Sequence, residues 1–386
     1  MLTLPRALPL LRENVRQIRE RTFPYRSRPP SPPDWPLYDK AQTHEASDLL
    51  ELIGASVDTL VERIPSLGHR TSDGRGRPPI PTADRLRLLL WQTYRSVANR
   101  PAASELRLHA LGLGIGAPFS YSSIARAYHD PEILLAAKAL LWLSNEPVIG
   151  REHRFALDGT GFPTSVVQHY ASLRARQGRA REEAERPEVT EPSASSPPSP
   201  PSTLGAFPTS SHDWVRNVAN VGMDFGLIAG WKSWTDPTLG ELSAFHEVFQ
   251  KTVAIHPEAE FQLGDGLYSA RWVVGEVAAA GVQARFLPRR TTSLKSLGVP
   301  AWPKSIWGLV KDPQQWLREY HERSKVEAFW WSMKSRHPGK IRKRRVCSRV
   351  VEATLRASTW NLRRLCYLHW LKGLDPQKSC ATAGAA

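Results

Sequence analysis

The stretch RFALDGTGF at 154–162 decides the fold class, because the helical pattern that precedes it gives way there to strands. A short apolar run that ends in an aspartate and two glycines is typical of a buried strand. We therefore predict a strand over this stretch, with Asp158 near its polar end.

Downstream of this stretch, strand and helix patterns alternate. In chain order we predict a two-strand hairpin at 214–234, a helix at 240–253, a strand at 260–269, a helix at 270–280 and a strand at 282–290. The hairpin turns at Asp224-Phe225-Gly226, and the strand EFQLGDGLYS ends at an acid, Asp265. This order predicts the α/β class, with a mixed sheet flanked by helices.

Upstream of residue 150, apolar residues recur at helical spacing, first after Thr43 and again after Thr82. Asp130-Pro131-Glu132 is typical of a helix start, with an N-cap, a proline in the first turn and an acid near the positive end of the helix dipole. Two short helices at 103–128 form either a helix-turn-helix or an ordinary packed pair. We predict that the region is all-helical.

The whole-chain composition points to polyanionic partners. The formal net charge is +15 and the pI is about 10.0, which favours nucleic acid first and an anionic membrane surface second. No run of 18 or more apolar residues and no secretory signal is present. The three cysteines match neither a metal motif nor an even disulfide set, so we expect a soluble protein of a reducing compartment.

A second informative stretch is YHERSKVEAFWWSMK at 320–334. On one continuous helix, Tyr320, Arg323, Glu327 and Lys334 would lie within roughly 60° of one another. A neighbouring face is apolar and consists of Val326, Phe329, Trp330 and Met333. Taken alone, the polar stripe is either a solvated face with an Arg323–Glu327 ion pair or part of a functional site.

The functional interpretation needs partners from elsewhere in the chain. Asp158 and Asp265 end two predicted strands, and if these strands are neighbours, both acids can meet Glu327 at one edge of the sheet. Oxygen ligands without His or Cys suit Mg²⁺ or Mn²⁺ rather than zinc. Crowded carboxylates of this kind would be stabilised by two metal ions.

The stretch at 320–334 matches the Y-(2)-R-(3)-E-(6)-K signature at all four positions. It resembles the DDE transposases of bacterial insertion sequences, which have a ribonuclease-H-like catalytic core. The resemblance covers roughly 75–370: GRPPIPTADRLRLLLWQTYRS looks like the start of their helical N-terminal domain. FALDGTGF resembles the strand of the first aspartate, and GDGLYSARW resembles the turn of the second.

The resemblance implies a role for each matched residue. Asp158 would bridge two Mg²⁺ or Mn²⁺ ions, Asp265 would hold one of them and Glu327 the other. Tyr320, Arg323 and Lys334 would hold phosphates around the scissile bond. The implied reaction is hydrolytic nicking of double-stranded DNA at the element ends, followed by attack of the 3′-hydroxyl on target DNA. A homodimer or higher assembly on DNA, in the cytoplasm and associated with the nucleoid, is also implied.

We accordingly divide the chain into four parts. These are a basic, Pro-rich arm at 1–42, a helical DNA-binding domain at 43–149, a ribonuclease-H-like core at 150–347, and a C-terminal helix with a tail at 348–386. Residues at about 176–206 are dense in Pro, Ser and Glu and are predicted to be a disordered insertion, a departure from relatives with a short loop there. The interval 291–319 is too short for the large β-rich insertion that some relatives carry.

Further residues are candidate DNA contacts, each with an ordinary alternative. Trp331 either stacks on a base or is a half-buried surface aromatic. The run KIRKRRVCSR, with Arg342, Lys343, Arg344 and Arg345, either follows phosphates or is a solvated face. Arg289, beside Arg290, closes the last strand, either on DNA or in solvent. Arg75 and Arg77 resemble an AT-hook core, or they belong to a flexible connection between two helices.

Three other classes of protein remain as alternatives. A non-catalytic DNA-binding relative acting as a repressor would tolerate loss of an acid, yet Asp158, Asp265 and Glu327 are all present. An actin-like ATPase would use DGTG as a phosphate loop, but we find no second phosphate segment. A junction resolvase shares the sheet but does not explain Tyr320, Arg323 and Lys334.

Overall fold

The computed structural model describes residues 4–27, 32–68, 79–116, 118–169, 210–337 and 339–377. The insertion predicted at about 176–206 and the AT-hook-like Arg75 and Arg77 lie outside the described residues.

The helices fall into two groups by their position in the sequence. The first group precedes the first strand, and the second group lies between or after the strands. The first group is α1 Leu4–Arg19, α2 Trp35–Arg63, α3 Thr82–Arg95, α4 Asn99–His109, α5 Tyr121–Ala127 and α6 Pro131–Leu143. The second group is α7 Phe245–Ile255, α8 Arg271–Ala279, α9 Ala301–Lys311, α10 Pro313–His321, α11 Ser324–Arg336 and α12 Val346–Lys372.

The sheet has five strands in the described residues, in the spatial order β3-β2-β1-β4-β5. They are β1 Arg154–His169, β2 Ser210–Gly222, β3 Ile228–Trp234, β4 Phe261–Gly264 and β5 Gln283–Phe286. Strands β1, β2 and β3 are antiparallel neighbours, whereas β4 and β5 run parallel to β1. The prediction of a mixed sheet flanked by helices is therefore confirmed.

Side chains of β1 alternate between two hydrophobic clusters, so both faces of the sheet are covered. Phe155 and Leu157 pack in a cluster with α1 and α7 to α10, whereas Ala156 and Phe162 pack in a cluster with α11 and part of α12. Alternation of this kind follows from the two-residue period of a strand. A third cluster joins α2 to α6 with the other face of α12.

Helix α12 connects the two regions of the molecule. Its Leu355 and Leu362 lie in the cluster of the N-terminal helices, while its Ala353 and Ala357 lie in the cluster against the sheet. Asn361 reinforces this junction, because its Oδ1 accepts the N–H of Ile228 on β3 at 2.8 Å. The C-terminal helix is thus shared by the helical and the sheet-containing parts.

Several local predictions are confirmed. Asp130 is the N-cap of α6 and accepts the N–H of Glu132, and Pro131 is the first helical residue. The hairpin of β2 and β3 turns around Asp224-Phe225-Gly226, with Gly226 at a φ of 75°. The pair α4 and α5 is present, and Ser120 caps α5 in a capping box with Ser123.

The single helix predicted over 320–334 was wrong. A turn at Glu322 and Arg323 separates α10 from α11. The two helices belong to different hydrophobic clusters: Tyr320 packs with the cluster of α1 and α7 to α10, and Val326 with the cluster under α11. One straight helix cannot bury both residues in these separate cores, so the chain bends between them.

Further boundaries differ from the prediction: β1 continues to His169, beyond the predicted end at residue 162, and β4 ends at Gly264 rather than at residue 269. The last strand ends at Phe286 rather than 290, so Arg289 and Arg290 lie in the loop beyond it. Pro288 lacks the N–H that a continued strand would donate. The arm predicted at 1–42 contains α1, whose Ala7, Leu11 and Val15 are buried against the sheet-covering helices.

Among the described residues, no helix is both long enough and apolar enough to cross a membrane.

Candidate active site

The two aspartates of the predicted strands lie side by side. Leu157 on β1 pairs with Gly264 on β4, and Asp158 and Asp265 are the residues that follow them. Leu157 and Gly264 are the last pair of the parallel β1–β4 ladder, so Asp158, which lies within β1, and Asp265, which directly follows β4, occupy neighbouring positions at the end of this ladder. Both carboxylates are partly buried, and Asp265 Oδ1 accepts the N–H of Leu267 at 2.7 Å. The inference that these strands are neighbours is correct.

Asp158 is the most perturbed acid of this edge. Burial, followed by the negative charge of Glu241, raises the pKa of Asp158 to about 7, and Asp265 acts in the same direction. Arg323 opposes the shift. A buried carboxyl beside other acids, with a raised pKa, is common where a functional cation or substrate binds.

Tyr320, Arg323 and Glu327 form a connected group beside the aspartates. Arg323 donates to Glu327 Oε1 at 2.5 Å, and its guanidinium lies 5.9 Å from the centre of the Tyr320 ring. Burial lowers the pKa of this guanidinium, but the nearby Tyr320, Glu327 and Asp158 raise it above its ordinary value. Burial and Asp265 raise the pKa of Tyr320. The bend between α10 and α11 still leaves these side chains together.

Lys334 and Trp331 lie further along α11. The Lys334 amine is close enough to Asp158 for that carboxylate to oppose the lowering of its pKa by burial. Trp331 is 74% exposed, more than the half-buried surface aromatic we had considered. The apolar face of α11 is buried as predicted, with Val326, Phe329, Trp330 and Met333.

Glu241 is a residue of this site that the sequence did not reveal. It begins the short 3₁₀ helix Glu241–Ala244 after β3, accepts the N–H of Gly159 and is hydrogen-bonded by the Tyr268 hydroxyl. Burial raises the pKa of Glu241, and Asp265 adds to this effect. GELSAF has no pattern that marks an acid as functional, and Glu241 reaches Asp158 only through the tertiary fold.

The two glycines after Asp158 make room for neighbouring side chains. A Cβ on Gly159 would lie 2.3 Å from Cδ of Glu241, and a Cβ on Gly161 would lie 2.7 Å from the Trp214 ring. DGTG therefore lies within the continuous strand β1, and its two glycines accommodate close packing on the sheet.

The donor set suits a hard divalent cation. Carboxylate oxygens without histidine or cysteine are typical ligands of Mg²⁺ and Mn²⁺, and a cation would favour the ionised form of Asp158, whose pKa is raised by burial and by Glu241. As the side chains stand, no three His, Cys, Asp or Glu residues of the described ranges form a metal-holding group. Glu327, which is paired with Arg323, would have to turn toward the aspartates to complete one.

The remaining DNA-contact candidates lie apart from these acids. Arg342, Lys343, Arg344 and Arg345 line a cleft between the segment after α11 and the helices α4 and α5. Arg289 is exposed beyond β5, next to Arg290, which lies 3.7 Å from Glu20. Their roles stay predictions.

Comparison with known proteins gives a relative that spans most of the chain. No family model matches, and no solved structure matches. The chain is 24% identical over 338 residues to the protein named "Probable transposase for insertion sequence element ISA1214" of Archaeoglobus fulgidus. The match covers 86% of this chain and 85% of that protein. The similarity therefore extends over most of both proteins.

Proposed function

We propose that this protein is a DDE transposase of an insertion sequence, with a ribonuclease-H-like core that cleaves and joins DNA. The observation that carries the proposal is the register of β1 and β4, which puts Asp158 and Asp265 together beside Arg323 and Lys334. The five-stranded mixed sheet and the transposase relative agree with it.

Three carboxylates would hold the metal ions. Asp158 and Asp265 would do so from the sheet edge, and Glu327 from α11 once it leaves Arg323. Two bound Mg²⁺ or Mn²⁺ ions would activate the attacking water or 3′-hydroxyl and neutralise charge on the leaving oxygen. Glu241 would anchor Gly159 and thereby the backbone next to Asp158.

The cations of the site would orient the DNA strand. Arg323 presents a planar donor fork suited to a phosphate, and Lys334 adds a point charge near Asp158. Tyr320, which is packed against Trp316 at 5.2 Å between ring centres, would hold a phosphate from a rigid position. Trp331, which is exposed on the same helix, can stack on a base. Double-stranded DNA with element ends is therefore the proposed substrate, and a dimer on DNA the proposed assembly.

The test is strand cleavage of a DNA fragment that carries the flanking ends of the gene, with and without Mg²⁺. Wild-type protein should nick the element boundary only with the metal. Glu327→Ala should lower the rate by more than about 100-fold, because loss of a direct metal ligand exceeds the effect of an outer partner. Glu51→Ala, which removes an exposed glutamate from α2, is the matched control and should cleave like wild type.

Two results would contradict the proposal in different ways. Equal cleavage by wild type and Glu327→Ala would exclude Glu327 as a ligand. Tight, salt-sensitive binding of the ends by wild type without any cleavage would favour the non-catalytic repressor.

A further inference from the structure

A cleft of about 660 Å³ separates two parts of the molecule that are distant in sequence. One wall consists of the turn between α3 and α4, the first turn of α4 with Arg100, and α5 with Tyr121. The other wall is the segment 342–345 and the first turns of α12. The cleft is therefore bounded by the N-terminal helices on one side and by the segment that follows α11 on the other.

The lining of this cleft is strongly cationic. Among the described residues that line it, Glu352 is the one carboxylate, and it is already used structurally. Its oxygens accept the backbone N–H groups of Arg342 and Lys343 and a donor from Arg356. The cations that line the cleft are Arg100, Arg342, Lys343, Arg344, Arg345 and Arg356.

Two of these cations are largely buried at the floor of the cleft: Lys343, and Arg356, which is paired with Glu352 at 2.9 Å. The Lys343 amine lies 3.5 Å from the centre of the Tyr128 ring and donates to Asn99 Oδ1 at 2.8 Å. Burial lowers the pKa of Lys343 to about 8, which shows that its charge is only partly compensated. Arg356 is 3% exposed, and its Nη1 has no hydrogen-bond partner among the described residues. A bound anion would compensate the charge of the Lys343 amine.

The other cations are arranged along the opening. Arg344 and Arg345 are exposed on one rim, and Arg100 is exposed on the opposite rim, 5.0 Å from the centre of the Tyr121 ring. Cations on both rims suit a ligand that carries several negative charges along its length. A phosphodiester backbone has this character, whereas a single small anion would reach only the floor.

Ile341, which precedes the wall segment 342–345, is hydrogen-bonded to β1, the strand that carries Asp158. The N–H of Ile341 bonds to the carbonyl of Pro163 at 2.8 Å, and Ile341 pairs with Thr164 of β1. Along β1, Thr164 is about 20 Å from Asp158, at roughly 3.3 Å per residue. A duplex lying parallel to β1 would cover this distance in about six base pairs, at roughly 3.4 Å per base pair.

From this arrangement we propose that the cleft binds the backbone of the DNA duplex about six base pairs from the phosphate held at Asp158. The inference rests on the proposed function and adds a second point of contact to it. If the duplex is held at both points, the distance between them determines which phosphate lies at Asp158. The helical region and the sheet would then act on the same DNA end.

The experiment measures binding of a fluorescent duplex as a function of salt concentration. The test variant is Arg344→Gln with Arg345→Gln, because both side chains are exposed and their loss leaves the cores intact. The control is Lys304→Gln with Lys311→Gln, which removes the same charge from exposed positions on α9. The plot of log K against log salt should become shallower by about 1.8 in the test variant, or about 0.9 per lost phosphate contact. The control should keep the wild-type slope.

A second measurement locates the contact on the DNA. Neutral methylphosphonate groups are placed singly along the duplex, and each position is tested for loss of affinity. Wild type should lose affinity at about six base pairs from the nicking position, and the test variant should not lose affinity there. Each variant is also assayed for metal-dependent nicking at saturating protein, which reports on the proposed function separately.

The possible results separate the two proposals. If the test variant keeps the wild-type slope, or if both variants lose slope equally, the cleft is not the binding site. Neither result bears on metal-dependent cleavage, which the nicking assay tests separately. If the slope falls only in the test variant but wild type never cleaves, the cleft assignment stands and the proposed enzymatic function fails.

Discussion

At the scale of single residues, this protein contains acids whose ionisation opposes folding. Glu152 is 1% exposed, and its carboxylate accepts the N–H groups of Asp224 and Phe225 at the hairpin turn. Burial raises the pKa of Glu152 to about 7, despite these hydrogen bonds. Its side chain also fills the space above Gly222, where a Cβ would lie 2.3 Å from Oε2.

The shifted pKa of Glu152 predicts a pH-dependent stability. Below pH 4.5 the carboxyl is protonated in both the folded and the unfolded state and contributes nothing. Between pH 4.5 and about 7 only the unfolded state loses the proton, so the free energy of unfolding falls as pH rises, and the full cost is present above 7. Glu152→Gln should remove this cost, and the variant should gain about 2 kcal/mol relative to wild type between pH 5 and pH 8.

Urea unfolding at the two pH values measures the effect of Glu152→Gln. The control is Glu51→Gln, at an exposed position, which should shift the unfolding free energy equally at both pH values. A difference between Glu152→Gln and wild type that is independent of pH would contradict the assignment.

At the scale of elements, the sheet and its covering helices are held very close together. Gly230 on β3 lies under α7, and a Cβ at this position would be 2.3 Å from the backbone oxygen of Val248. A helix backbone cannot yield as a flexible side chain can. The contact between β3 and α7 therefore depends on the absence of a side chain at residue 230.

Gly230→Ala should consequently lower the free energy of unfolding by about 2–3 kcal/mol or more, because α7 must move away from the sheet. The matched control is Gly240→Ala, where a Cβ would meet nothing within 4 Å and φ is −77°. Thermal or urea unfolding of both variants gives the comparison. Similar stability of the two would show that α7 can move at little cost.

Much of this element pattern follows from local sequence. The N-cap Asp130, the hairpin turn at Gly226 and the apolar face of α11 are set by neighbouring residues, so each could be predicted. The break between α10 and α11 could not be predicted, because residues 320–334 have an unbroken helical pattern. It arises from two separate cores, which only the packed chain contains.

At the scale of the whole molecule, α12 joins the helical region to the sheet through a buried polar network. Glu45 on α2 accepts hydrogen bonds from Arg363 at 2.6 Å and from the Tyr367 hydroxyl at 2.7 Å. The two charged residues, Glu45 and Arg363, are only 8% and 9% exposed to solvent. Burial alone would raise the pKa of Glu45, but hydrogen bonds from its two partners on α12 lower that pKa below the ordinary value.

Arg363→Ala should therefore destabilise the protein by about 3–5 kcal/mol, because it leaves Glu45 buried with less compensation. Arg16→Ala, which removes a 51% exposed side chain and its two surface ion pairs with Glu13 and Glu20, should cost less than about 1 kcal/mol. Urea unfolding measures both. Adding Glu45→Gln to Arg363→Ala should recover part of the loss, and no recovery would show that packing rather than charge is lost.

By itself, the sequence determined much of the alternation of strands and helices after residue 154, the polycationic character of the chain and, through the resemblance to DDE transposases, the choice of Asp158, Asp265 and Glu327 as candidate metal ligands. These depend on residue type and spacing, which are local properties. Only the tertiary structure decided that Glu241 lies against Gly159, that Glu327 is paired with Arg323, and that the cationic cleft is closed by helices from the other end of the chain. Such contacts join residues that are distant in sequence, and their partners are chosen by packing rather than by pattern.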